Sequence, residues 1–261
     1  MLFNYIYTMK YISFLLSLCI CASVFAQNPE TYFTKEELTN IVNCLPAPPD
    51  FNSPDFANDV VRYMWGKTMR QDAERVAEIE RDAIWNLDTL AAIFSVPFGL
   101  EISKEKTPEI YKAFTQGVGT IELIRILPKA HYNRKRPFVM YDEDMLTKWE
   151  EDDLRDEGSF PSGHTIRGWA AALILAEINP AATTELFARG WRYGENRVIT
   201  GAHWQSDVDI SRPAASIGYV QLQSSPAYRE QMDRARAEFV YLVYGTIPDK
   251  KYKSIVKNLA R

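Results

Sequence analysis

The sequence is poor in cysteine and histidine and has no excess of basic charge. Its three cysteines cannot brace a disulfide-dense small domain. With 30 basic and 34 acidic residues the net charge is -4, so there is no polybasic surface and nucleic acid is not an expected partner. Strict apolar–polar alternation is scarce and no internal repeat is visible, which argues against sheet-based folds and solenoids. Past the N-terminal region no segment approaches about 18 uninterrupted apolar residues, so the remainder is not expected to span a membrane. What the chain does have is 46% hydrophobic and 13% aromatic residues, enough apolar surface to exclude disorder and to build a core.

The one long apolar run lies at the start. Residues 11–26 carry no charge, Lys10 precedes them, and Val24 and Ala26 form a small-x-small site before Gln27. This pattern predicts a signal peptide over residues 1–26, cleaved after Ala26, and a periplasmic or secreted mature chain of residues 27–261. Met9-Lys10 makes a more typical start than Met1. A lipoprotein site is disfavoured because bulky Leu18 and Ile20 precede Cys19 and Cys21. Cleavage leaves Cys44 alone, so the exported protein depends on its core rather than on an internal disulfide.

Residues 56–95 read as one long helix, ended by Pro97 and Gly99. Thr107-Pro108-Glu109 predicts a capped helix running to about Leu127. Further helices are expected over 163–179, 183–198, 203–222 and 226–244, with a surface helix in the basic tail beyond Pro248. The acidic stretch 138–159 reads as a solvated loop holding a short helix, and no metal is assigned to it. The expectation is one all-α domain, a helical bundle of roughly eight helices.

Three segments carry candidate chemistry. In the first, Lys129 and Arg136 stand seven apart, about two helical turns, with Pro137 ending the element. A point cation and a forked cation suit phosphate, although Arg125, Arg134 and Lys135 also fit a solvated basic stretch. In the second, Pro161-Ser162-Gly163-His164 opens an Ala-rich helix, where a hydroxyl, free N–H groups and the dipole favour an anion beside His164. In the third, His203 and Asp207 are i, i+4. Asp207 is placed to take the Nδ1 proton and leave Nε2 free as a nucleophile, with Arg197 folding back as a third cation. Each segment alone also fits a bland role, as a basic face, an N-cap or a surface His–Asp pair. Two of only three histidines falling in these positions makes the combination far more specific.

Lys-x6-Arg-Pro, Pro-Ser-Gly-His and Arg-x5-His-x3-Asp, in this order, resemble the type 2 phosphatidic acid phosphatase and vanadium haloperoxidase superfamily. Within it the chain resembles the class A bacterial nonspecific acid phosphatases, through Gly158 to Thr165, residues 175–180, His203 to Asp209 and, weakly, Leu45 to Pro49. The resemblance implies a broad-range acid phosphatase for phosphate monoesters, without cofactor or metal. His203 is then the nucleophile that becomes a phosphohistidine and Asp207 orients it. His164 is the general acid and base, and Lys129, Arg136, Ser162, Gly163 and Arg197 bind phosphate. On this scheme His164 starts protonated and His203 neutral. It also implies a homodimer or larger homo-oligomer. A vanadate-dependent haloperoxidase is the alternative for the same pocket. A membrane lipid phosphatase and a phosphate-sequestering protein rank lower. Two departures stand out: Asn196 where Ser usually precedes the third-motif Arg, and Phe160 where Tyr is usual. The acidic loop from Val139 to Glu157 is expected to border the entrance and to disfavour highly anionic substrates.

Overall fold

The computed structural model describes residues 30–247 and 249–255. The expected signal segment and the end of the basic tail lie outside the described residues. The helices are α1 (Pro54–Thr68), α2 (Ala73–Ala83), α3 (Leu87–Phe98), α4 (Pro108–Glu122), α5 (Ile126–Tyr132), α6 (Pro137–Tyr141), α7 (Glu151–Leu154), α8 (Gly163–Ile178), α9 (Thr183–Ile199), α10 (Gln205–Leu222) and α11 (Pro226–Tyr244). Among the described residues there is no strand, and the all-α expectation holds. No helix among them is long and apolar enough to cross a membrane.

The single helix expected over 56–95 is three. Asp72 caps α2 by accepting from the N–H groups of Glu74 and Arg75, and Asn86 caps α3 by accepting from those of Asp88 and Thr89. These short polar side chains satisfy N–H groups that a continuing helix would satisfy itself, so each restarts the chain in a new direction. Pro97 sits inside the last turn of α3, and Gly99, at φ +87°, caps it.

Helix α8 is the axis of the molecule. It packs against α9, α4 and α10, and burial covers most of its circumference: Ile166, Ala170, Ala171, Ala172, Ile174 and Leu175 are fully covered, while Trp169, Leu173, Ala176 and Glu177 form one half-buried face. A helix with so wide an apolar face belongs in the interior. Its short alanines let neighbouring helices approach, while Phe94, Phe98, Phe114, Tyr193 and Tyr228 fill the space between. Each such large side chain contributes about 1.5–3 kcal/mol when fully buried. The C-terminal half of α8 is thereby locked in the core. Its N-terminus opens beside the turns after α5 and α9.

Candidate active site

That opening is a cleft of about 500 Å³, lined among others by Lys129, Arg136, Gly163, His164, Arg197 and His203. A wider surface groove of about 800 Å³, edged by Trp169, Trp191 and Arg212, contains none of these side chains. Gly163 has no room for a side chain, since a Cβ there would lie 2.9 Å from Arg125 and 3.1 Å from Trp85. Ser162 sits beneath the cleft rather than in its lining. It is fully buried as the N-cap of α8, its Oγ accepting from the N–H of Thr165 at 3.4 Å and from Thr165 Oγ1 at 2.9 Å.

Lys129 and Arg136 meet by a different route from the one their spacing suggests. Only Lys129 is helical, in α5. Asn133 ends that helix at φ +37°, and Arg136 is extended at φ -73° and ψ 155° because Pro137 follows it. The two cations converge through this turn, both donating to the carbonyl of Gly158. Burial comes first in pushing Lys129 down to about 7, with Arg136 and Arg125 adding to it against Glu157. Burial likewise takes Arg136 down to about 10.

His203 lies in the turn before α10, not on the helix. Arg136 Nη1 donates to its Nε2 at 3.1 Å and to the carbonyl of Ala202 at 2.9 Å. A guanidinium has no acceptor, so Nε2 carries the lone pair and the proton of the neutral ring sits on Nδ1. Nδ1 stands 3.4 Å from Asp207 Oδ2, wider than the direct hydrogen bond expected. Asp207 spends that oxygen on the backbone N–H of Trp204 at 2.9 Å, the acidic half of a capping box for α10. Burial, followed by Arg136, Lys129 and Arg197, holds His203 well below the ordinary histidine range. Desolvation and these three cations thus both favour the neutral ring.

His164 donates from Nε2 to the carbonyl of Ala83, the last residue of α2, at 3.1 Å. Its ring meets Trp85 edge-on with centroids 4.7 Å apart. Burial and then Arg197 and Arg167 push it well below the ordinary range. A protonated His164 therefore needs an anion against the same cations, which the expectation drawn from the motif alone did not include.

The acidic stretch enters the site instead of standing in solvent. Glu157 accepts from Arg125 and from Arg136, each at 2.9 Å, and lies 3.4 Å from Lys129. Glu150 takes both terminal nitrogens of Arg197, at 3.0 and 2.9 Å. Burial pushes Glu157 up, but Lys129, Arg136 and Arg125 together outweigh it and hold the carboxyl below its usual value. Asp153 and Trp149 also edge the cleft.

Sequence reasoning treated Arg134 as one member of a solvated basic run, and the structure corrects this. Arg134 is buried, with Nη1 donating to Asp207 Oδ1 at 2.6 Å and Nη2 to Asp59 Oδ2 at 2.8 Å. A signal was present in the run. After the break at Asn133 the chain is extended toward Pro137, so alternate residues share a side. Arg134 and Arg136 are buried, while Lys135 between them is exposed. The two departures have local reasons. Asn196 Nδ2 donates to Asp82 at 2.8 Å and Glu78 at 3.1 Å, tying α9 to α2. Phe160 is buried edge-on against Tyr132, where a tyrosine hydroxyl would need a partner.

Residues 112–220 match the PAP2 superfamily. A non-specific acid phosphatase of Providencia stuartii is 38% identical over 216 residues, covering 82% of this chain and 87% of that protein. A non-specific acid phosphatase of Salmonella typhimurium is 33% identical, over 88% of this chain and 92% of the relative. An acid phosphatase of Zymomonas mobilis is 31% identical over 74% of this chain and 73% of its own length.

Proposed function

Since the chain belongs to the non-specific acid phosphatases of the PAP2 superfamily, we propose that it hydrolyses phosphate monoesters through a phosphohistidine on His203. The observation that carries this reading is the contact of Arg136 with the Nε2 lone pair of a neutral, buried His203, inside a cleft that also gathers Lys129 and Arg197. The same guanidinium that marks where the nucleophile points is placed to hold an oxygen of the phosphoryl group.

In the reaction Nε2 attacks phosphorus and the bond to the ester oxygen breaks. His164 supplies the proton to the departing alkoxide. With Nε2 held by Ala83, the proton that comes and goes on His164 is on Nδ1. The incoming phosphate dianion, lying against Arg197, favours that protonated form. In the second half water attacks the phosphohistidine, His164 takes a proton from it, and phosphate leaves with His203 restored. Lys129, Arg136 and Arg197 hold the equatorial oxygens with the Gly163 N–H at the helix start, which Ser162 sets from beneath as its N-cap. These cations supply the charge stabilisation that a metal gives in other phosphoryl-transfer sites, so the scheme uses no metal and no cofactor. Lys129 captures phosphate only while protonated, and a value near 7 accords with activity on the acid side.

We assign residues 1–26 to an export signal and 27–261 to the mature periplasmic or secreted enzyme, which works as a homodimer or larger assembly. The acidic rim of Glu150, Asp153 and Glu157 supports a bias against polyanionic substrates. The test is turnover of a chromogenic phosphate monoester by purified 27–261 near pH 5–6, with chelator and orthovanadate arms. Turnover should survive chelator, stop with vanadate, leave an acid-labile phosphohistidine on quenching, and fall by about 10⁴-fold or more in His203→Ala. Bromide oxidation on supplying vanadate and peroxide, with no ester turnover, would move the chain to the haloperoxidase branch.

A further inference from the structure

Behind the nucleophile lies a buried ionic group that no single motif contains. Asp59 comes from α1, Arg134 from the turn after α5, and Asp207 from the first turn of α10. Their side chains are 1%, 3% and 0% exposed. Arg134 bridges the two carboxylates and donates a further bond to Ser206 Oγ at 2.7 Å. Asp59 in turn accepts from the backbone N–H of Ser206 at 2.7 Å and from its hydroxyl at 2.6 Å. The guanidinium is walled by Phe51, Phe56 and Trp204, whose ring centres lie 5.6, 6.0 and 5.7 Å away.

Asp207 therefore has two masters. Its Oδ1 is held by Arg134 and its Oδ2 by the N–H of Trp204, which leaves one edge of Oδ2 turned to Nδ1 of His203 at 3.4 Å. We propose that Arg134, braced by Asp59, is a positioning residue for catalysis: it fixes the plane of Asp207 and offsets its charge, so that Asp207 orients His203 without drawing a second proton onto it. The proposal rests on His203 being the nucleophile. Arg134 touches neither the imidazole nor the phosphate cations, so its effect reaches the reaction only through Asp207.

The charges around His203 set the sign of the test. Arg136, Lys129 and Arg197 face it from the front, the first two shared with Glu157 and the last with Glu150. His164 is the neutral neighbour across the cleft. Asp207 faces it from behind, with Arg134 and Asp59 beyond. Removing the Arg134 charge leaves two uncompensated anions behind the ring, which favours imidazolium. The nucleophile must be neutral, so the acid limb of kcat/KM moves to higher pH. Removing the Asp59 charge does the opposite.

The experiment compares Arg134→Gln, Arg134→Lys and Asp59→Asn with the parent 27–261 chain. The substrate is a chromogenic aryl phosphate, and orthovanadate inhibition and phosphohistidine trapping are measured in each. In Arg134→Gln the acid limb should rise by about one pH unit and kcat should fall about 10- to 100-fold, with KM and vanadate inhibition within about two-fold of the parent. Arg134→Lys keeps the charge and should hold the parent limb with part of kcat restored. Asp59→Asn should shift the limb downward. A folded Arg134→Gln with an unmoved limb, or losses that only follow the folded fraction, would overturn the proposal. So would collapse of all three variants, which assigns Arg134 to the core alone. Absence of phosphohistidine in the parent chain would instead sink the nucleophile assignment itself, a result separable from either.

Discussion

Two sets of arginine–carboxylate contacts flank His203, one behind it and one in front, and they differ in everything but chemistry. Behind, Asp59, Arg134 and Asp207 are all but inaccessible, and Trp204 and Ser206 backbone N–H groups pin both carboxylates to the start of α10. In front, Glu157 is 39% exposed and Glu150 12%, both carried by the irregular segment between α6 and α8. The rear oxygens are committed to fixed backbone donors. The front oxygens hold the cations that the proposed mechanism assigns to phosphate, which would compete with these carboxylates for them. An identical pairing thus acts as a brace where it is interlocked and dry, and as an exchangeable contact where it faces a cleft.

Breaking the rear set should give the largest effect on stability. Asp59→Ala leaves a buried guanidinium half compensated, and losing one partner of such a pair costs about 3–5 kcal/mol. Thermal and urea unfolding should both register it. Glu157→Gln at the front should cost no more than about 1 kcal/mol by the same measurements, because solvent already screens that carboxylate. Equal losses at the two positions would erase the distinction. The front variant should declare itself in kinetics instead. With one competitor for Lys129, Arg136 and Arg125 removed, KM for a simple monoester should fall by about 3- to 10-fold while kcat stays within about two-fold.

The sequence exposes the front far better than the rear. Pro-Ser-Gly-His and the His–Asp spacing are local patterns; the first does open a helix, whereas His203, expected at the start of the helix over 203–222, lies in the turn before α10. Lys129 and Arg136 are found together, but through the left-handed Asn133 and an extended Arg136 rather than through two helical turns. The rear set joins α1, the turn after α5 and α10, and its contacts span 72 to 147 residues of chain. Nothing local announces that Asp59 and Arg134 meet. The same limit hides the caps at Asp72 and Asn86, since helix-forming residues on both sides read as one continuous helix. Glu150 and Glu157 look like any solvated acids until the cations they face are placed in space.

Lys129 sets function against stability at the front. Its folded value near 7 lies below its ordinary 10.5. Between those two values the unfolded chain holds a proton that the folded chain does not, so this group's contribution to stability rises with pH across that window. In the proposed role of Lys129, phosphate capture runs the other way, because only the charged amine would bind, and kcat/KM should fall as pH rises through about 7. Lys129→Met should remove both trends. Melting temperature measured from about pH 6 to 9 should lose this upward contribution, and at about pH 6 the variant should melt several degrees above the parent. Its kcat/KM should be low at every pH. Glu157→Gln removes an influence that raises Lys129, so its alkaline limb should begin at lower pH than in the parent.

Asn196 offers the finest test of the division, because it belongs to neither set. Its amide ties α9 to Asp82 and Glu78 on α2, and Asp82 precedes the residue whose carbonyl holds His164. Serine is too short to reach both acids. Asn196→Ser should therefore lose roughly one buried hydrogen bond, about 1 kcal/mol in unfolding. The carbonyl of Ala83 belongs to the last turn of α2, which is also fixed by the ion pair of Asp82 with Arg189. That second tie should keep His164 in place and hold kcat/KM within about three-fold of the parent, at an unchanged pH profile. A ten-fold loss of kcat with a shifted profile would mean that α2 reaches the chemistry through His164, adding a third support beside the braced rear and the exchangeable front.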